Sequence, residues 1–374
     1  MVDTHALPQR NSLVTQTVAF LRAQIDGGDW RDWLPNERQL SQQLQVSRVT
    51  LRAALRQLKS EGLVQPVHGS GNRILGKTRR EGSRPTLSDV ALLSPDPIER
   101  LLPIQSIWID EMRALLAERG SRLHVFHGSQ YYTANPGAAL KRLVTRHLHG
   151  CWILMLAGEP VQRWFSQNWV PCVVAGSTYA DLDLPFSDRD HRAMCRHAAG
   201  ILRGLGHQRI AMLSQKRPRA GDLDSEAGFI EGARLPPGTE AEVFIIQHEP
   251  TVAGVTQALR RLVERTSAPT ALLITNSYSY LTVASRLTQY GVRIPQDISL
   301  ISRDADPFLS FLVPQPAHYV VRPQLMAKNL LRPTLELLSG AKVTQRTFQV
   351  IPRFVRGESI AAPSQDPPFR IPPA

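Results

Sequence analysis

Between residues 90 and 302 the sequence repeats one pattern, a short apolar run followed by a longer amphipathic stretch. The apolar runs lie at 90–93, 123–126, 152–156, 172–175, 210–213, 243–246, 271–275 and 298–302. The stretches near 104–119, 138–147, 161–168, 190–205, around Phe229, and at 253–265 and 279–290 carry apolar residues at helical spacing. An apolar run without polar alternation is buried on both faces, as in a parallel strand covered by helices. Strand and helix alternating in this order predict an α/β architecture with parallel sheets. Eight or so such units in sequence fit two doubly wound lobes or one barrel. With 374 residues in the chain, a separate domain fits ahead of this region.

The head reads differently. Leu13, Val14, Val18, Leu21 and Ile25 fall near helical spacing and stop at Gly27 and Gly28. Asn36 after Pro35 is a helix cap, with Gln39 three residues on and Leu40 and Leu44 as the buried stripe. Ser47 caps a third helix reaching about Ser60, and residues 63–75 carry two short apolar runs around His68, Gly69, Ser70 and Gly71, the pattern of a small hairpin. Three helices and a hairpin make a winged helix-turn-helix. Residues 1–80 hold 12 Lys and Arg against 6 Asp and Glu, a net +6 that is half of the whole chain's +12. A basic head attracts polyanions. On the third helix, at 100° per residue, Arg48, Arg52, Arg56 and Lys59 share an arc of about 80°, beside the arc of Leu51, Ala54, Leu55 and Leu58. One side packs and the adjoining side is cationic. A planar guanidinium matches guanine O6 and N7, so Arg48 and Arg52, joined by Arg38, are placed to read a major groove. A cationic stripe is also the ordinary solvated face of a helix.

Residues 77–88 are basic, polar and aperiodic, which marks a linker, and residues 361–374 hold five prolines and read as a disordered tail. The expected domains are therefore 1–76, 89–360 and the two connecting or terminal segments. Cys151, Cys172 and Cys195 have no CxxC spacing, so disulfides and zinc are not indicated. His147, His149 and Cys151 alternate like metal ligands but enter an apolar strand without a partner pair, and no metal or cofactor is expected. Residues 1–16 are polar and lack the apolar core of a secretory signal, and no apolar run nears the ~20 residues of a membrane span. The expectation is a cytoplasmic protein.

The runs LPNERQL at 34–40 and VSRVTLRAAL at 46–55, then Leu58, Glu61, Gly62, Leu63 and Gly69, Ser70, Gly71, closely resemble the DNA-binding head of the GntR family in register. That resemblance implies DNA contacts from Arg38, Ser47, Arg48, Thr50 and Arg52, with His68 and Gly69 at the wing tip near the minor groove. The runs LGHQRIA at 205–211, Pro269 to Thr275 and Asn276, GVRIPQDISLI at 291–301 ending at Asp304, and residues 314–320 resemble the sugar-binding core of the LacI/GalR family. The implied fold is that of periplasmic binding proteins, two lobes and a cleft, with an effector between them. By that resemblance Asp304, Asn276 and Asp96, each after a strand, and Asp188 or Asp190 near the crossover between lobes are effector-binding candidates. Carboxylates suit sugar hydroxyls because they accept hydrogen bonds. An aspartate after a strand is more often a helix cap or turn residue.

Two positions depart from the family pattern. Ser225 stands where an arginine commonly precedes Gly228 and Phe229, and Ser277 where an aspartate often follows Asn276, which leaves a non-sugar effector open. The combined expectation is a homodimeric regulator, a repressor, that binds double-stranded operator DNA under the control of a small molecule, most often a sugar. The alternative is an α/β enzyme or plain binding protein with the head as a tether. No GxxxxGK[ST], GxGxxG, HExxH or GxSxG occurs to support it.

Overall fold

The computed structural model describes residues 13–27, 30, 33–67, 71–75, 88–216, 218–234, 238, 240–265 and 267–364. The chain divides into two compact units, residues 1–84 and 85–374.

In the first unit, α1 (Leu13–Gly27), α2 (Glu37–Gln43) and α3 (Arg48–Ser60) precede β1 (Val64–Val67) and β2 (Gly71–Ile74). Both later helices start on side-chain caps. Asn36 Oδ1 accepts the Gln39 amide at 2.9 Å and Ser47 Oγ accepts the Thr50 amide at 3.1 Å, which satisfies donors that have no intrahelical partner. Leu21, Leu40, Leu51, Leu58 and Val64 close a core between helices and hairpin. The strands pair antiparallel, Val64 opposite Ile74 and Val67 opposite Gly71, and Trp33 adds a bridge to Arg73. The expected wing tip with His68 and Gly69 lies outside the described residues. So do residues 77–87 of the linker and the tail beyond Ser364.

The second unit opens with β3 (Val90–Ser94), α4 (Pro103–Ala117), β4 (Leu123–His127), α5 (Gly137–Arg146), β5 (Cys151–Met155), α6 (Glu159–Gln167), β6 (Cys172–Ala175) and β7 (Phe186–Arg189). It continues with α7 (His191–Gly204), β8 (Arg209–Gln215), α8 (Ala220–Arg234), β9 (Glu242–His248), α9 (Val252–Val263), β10 (Ala271–Ile274), α10 (Ser277–Gln289), β11 (Ser299–Ser302) and β12 (Ala317–Val320). It closes with α11 (Pro323–Leu338), β13 (Thr347–Val350) and β14 (Arg353–Val355).

These strands form two open six-stranded sheets, β13-β7-β6-β5-β3-β4 and β14-β12-β11-β10-β8-β9. Every pair is parallel except β12 with β14. The unit is thus two doubly wound lobes, and the single barrel that the strand count also allowed does not form. Strands β3, β5, β10 and β11 are buried along their whole length, as their unbroken apolar runs require. The chain passes between lobes three times, from Arg189 to His191, from Val320 to Pro323 and from Val350 to Arg353. Helix α11 accordingly packs Ala327, Leu330 and Leu331 against Val90 and Ile153 of the first lobe, although β12 just before it belongs to the second.

Candidate DNA-reading helix and interlobe cleft

Helix α3 has the two faces its periodicity sets. Leu51, Ala54, Leu55 and Leu58 are buried, whereas Arg48, Arg52, Arg56 and Lys59 are exposed, as is Arg38 on α2. Arg52 Nε donates to Glu37 Oε2 at 2.9 Å, which ties the second turn of α3 to the start of α2. The Ser47 and Thr50 hydroxyls lie 2.9 Å apart at the cap. Among the described residues, Arg38, Arg48, Arg56 and Lys59 have no ion-pair partner, so their charge is available. Val49, which sequence reading passed over, is 76% exposed in the first turn, next to the basic arc at 100° from Arg48. An apolar side chain that packs on nothing at a helix start was the signal for it.

The cleft of the second unit lies at the C-terminal ends of strands from both lobes, where open parallel sheets place ligands. Its cavity volume is about 180 Å³, open to solvent on one side. Trp108, Ile104, Met155 and Met326 supply an apolar wall, and Asp188, Arg189, Arg219, Asp222, Arg303 and Asp304 supply the charge. The charged groups are cross-linked. Asp304 Oδ1 accepts from Arg189 Nη1 at 2.6 Å across the lobe boundary, and Arg303 Nη1 donates to Asp222 Oδ1 at 2.8 Å and to Ser225 Oγ at 3.0 Å. Asp188 Oδ2 meets Ser177 Oγ at 2.8 Å and His191 Nε2 at 3.1 Å. Burial works to raise the Asp304 and Asp222 carboxyls, but the guanidiniums beside them outweigh it and hold both below the usual carboxylate range. Burial likewise opposes the Arg303 charge, and Asp304 and Asp222 more than restore it. A second cross-lobe bond runs from the Ile104 amide to Asp306 Oδ1 at 3.1 Å.

Of the five expected effector residues, the structure brings Asp188 and Asp304 into the cleft wall. Asp190 caps α7, accepting the Ala193 amide at 2.8 Å, and Asn276 caps α10, accepting the amides of Tyr278 and Ser279 at 3.0 and 3.1 Å. Asp96 lies exposed in the turn after β3, where its carbonyl accepts from Ser94 Oγ. Sequence reading missed Arg189, Arg219, Asp222 and Arg303. It had noted Ser225 as lacking the family's arginine, and the structure puts the Arg303 guanidinium, delivered from the end of β11, against that serine. Among the described residues no group of three or more His, Cys, Asp or Glu is arranged to hold a metal. His149 and Cys151 are buried.

Residues 13–74 match the family of bacterial regulatory proteins of the gntR type, and residues 199–360 match a periplasmic binding protein-like domain. The chain is 27% identical over 286 residues to the HTH-type transcriptional regulator AglR of Rhizobium meliloti, covering 72% of this chain and 77% of that one. It is 29% identical over 204 residues to the HTH-type transcriptional regulator reg1 of Streptomyces lividans, covering 52% of this chain and 58% of the relative. Similar folds include a LacI-type regulator from Bacillus cereus subsp. cytotoxis, at TM-score 0.66 and 18% identity over 73% of this chain and 98% of that one. Another is the transcriptional regulator CelR in complex with cellobiose, at TM-score 0.65 and 19% identity over 94% of this chain and 99% of that one. The chain therefore carries a gntR-family DNA-binding region at 13–74 and a periplasmic binding protein-like domain at 199–360, and it is similar to HTH-type transcriptional regulators.

Proposed function

We propose that the protein is a homodimeric, cytoplasmic repressor whose affinity for a roughly palindromic operator is set by a small molecule held between the two lobes. In this reading Arg38, Ser47, Arg48, Thr50 and Arg52 make DNA contacts, Val49 offers an apolar contact to a thymine methyl, and His68 and Gly69 add further DNA contacts. The observation that carries it is the exposed cationic arc on α3, directed away from the head's own core, in which Arg48, Arg56 and Lys59 have no ion-pair partner among the described residues. The effector is a sugar or a similar polyhydroxy compound. Asp188 and Asp304 face it, while Asp190 and Asn276 hold the helix starts that frame the cleft, and Asp96 stands in the turn after β3. The CelR complex with cellobiose supports a sugar by analogy of fold. Phe311 and Val313 of the second lobe, 85% and 96% exposed, give an apolar surface for a second copy. The division into a head at 1–76, a linker at 77–88, an effector domain at 89–360 and a Pro-rich tail at 361–374 belongs to this reading.

The test is a fluorescence titration of the full chain against its upstream promoter DNA at several salt concentrations. Wild type is expected to bind as two chains per duplex, with affinity falling steeply as salt rises. Arg48→Ala with Arg52→Ala should weaken binding by about thirtyfold or more, from the ~1–3 kcal/mol expected for each base-reading pair. Operator binding that survives the double substitution at moderate salt sinks the reading.

A further inference from the structure

We propose that the ligand of the interlobe cleft carries an oxyanion, a carboxylate or a phosphate ester, and that Arg219 and Arg303 receive it. The proposal rests on the reading above that this cleft is the effector site, and it names the ligand's chemistry. Six charged side chains line the cleft, three arginines and three aspartates, and each carboxylate already has a side-chain hydrogen-bond partner. Asp222 is taken by Arg303 and Asp304 by Arg189, while Asp188 is hydrogen-bonded by the Ser177 hydroxyl and the His191 imidazole. The cations are not all matched in return. Among the described residues Arg219 has no ion-pair partner, and its side chain is exposed in the cleft wall.

Arg303 is the second, independent observation. Its side chain is only 9% exposed, yet its buried Nε makes no hydrogen bond, the nearest carboxylate oxygen, Asp304 Oδ1, being 3.6 Å away. A buried donor left without an acceptor is unfavourable, and a ligand oxygen would supply the missing acceptor. Arg219 also stands immediately before α8, a helix of 15 residues whose first amides and dipole favour negative charge. The backbone there sits close to both lobes. A Cβ on Gly221 would lie 2.7 Å from His191 Cδ2 and 3.1 Å from Ser177 Oγ, so bare backbone is required. What the cleft has to spare is therefore hydrogen-bond donors with positive charge, which suits a sugar acid or sugar phosphate better than a neutral sugar. Asp304 Oδ2 remains for a ligand hydroxyl.

The experiment is thermal unfolding of the full chain in sodium chloride, sodium phosphate and sodium malonate at matched ionic strength, with glucose as a neutral arm. It compares wild type, Arg219→Gln and the charge-matched control Lys141→Gln on the exposed face of α5. Phosphate or malonate should raise Tm by several degrees over chloride in wild type and Lys141→Gln, and by less than a third of that increment in Arg219→Gln. Phosphate alone acting identifies a phosphate ester, and malonate alone a carboxylate. General salt stabilisation gives equal increments in all three proteins and overturns the proposal. Stabilisation by glucose that is indifferent to Arg219→Gln overturns it too, while leaving the effector site in place. Arg219-dependent stabilisation with unchanged operator affinity in the same buffers keeps the anion site and removes its control of DNA.

Discussion

Arg303 shows how much one buried guanidinium settles. It bridges Asp222, Ser225 and Asp304 from the end of β11. Removing one partner of a buried pair leaves an uncompensated charge, so Arg303→Met should destabilise the chain by about 3 kcal/mol at neutral pH in urea unfolding. The pH dependence has a definite sign. Asp222 and Asp304 have folded pKa values depressed below those of the unfolded chain. Their contribution is therefore full above the unfolded value of about 4 and is lost as pH falls through the folded values. In Arg303→Met the Asp222 carboxyl, left without its guanidinium, escapes its penalty once protonated, so the gap to wild type should narrow below about pH 4. A gap constant from pH 7 to pH 3 would exclude the electrostatic origin. None of this was legible locally. Arg303 sits 81 residues from Asp222 and Arg189 sits 115 from Asp304.

Elements pack here by rules that single residues test well. Gly228 and Gly232 stand one turn apart on α8, and a Cβ at either would come within 2.1 and 2.2 Å of the Arg192 and Arg196 carbonyl oxygens of α7. The helices touch through backbone, and a methyl forces them apart. Gly228→Ala should cost about 2–3 kcal/mol by overpacking. Gly200, on α7, has nothing within 4 Å of its would-be Cβ, so Gly200→Ala should instead stabilise by about 0.5–1 kcal/mol through helix propensity. Both are read from denaturant midpoints, and equal effects would remove the packing explanation. Along the chain the strand and helix pattern from 90 to 302 matched the elements within a few residues, because each periodicity is a local statement about which side is buried. The pattern did not reach β7, a polar Phe-Ser-Asp-Arg strand, or the elements after β11, where strands are short and lie near sheet edges.

At the scale of the molecule, buried neutral histidines couple the fold to pH. Burial lowers the pKa of His149, His207 and His248. His207 ties distant segments together, meeting Thr270 Oγ1 at 2.8 Å, Ser299 Oγ at 3.2 Å and the Ala361 carbonyl at 2.9 Å. A histidine with a depressed folded pKa binds fewer protons in the fold than in the unfolded chain, so stability rises with pH in this range. Stability should be full above the unfolded value of about 6.5 and decline as pH falls from there toward 5. His207→Gln, which keeps polar contacts without titrating, should flatten part of that decline in urea midpoints taken from pH 7.5 to 5. An unchanged profile would assign the decline to the other histidines.

The sequence by itself determined the winged head, its capped helices and cationic arc, and the run of parallel strands, since caps and amphipathic faces act over three or four residues. The tertiary structure decided that the strands split into two sheets rather than closing a barrel, and which carboxylates line the interlobe cleft. Asp190, Asn276 and Asp304 all follow strands, yet the first two spend their oxygens on helix caps, while Asp304 lies in the cleft against two arginines. A cap is satisfied within its own turn of helix. An ion pair across the lobe boundary exists only once sheet order has brought β7 and β11 to the same cleft.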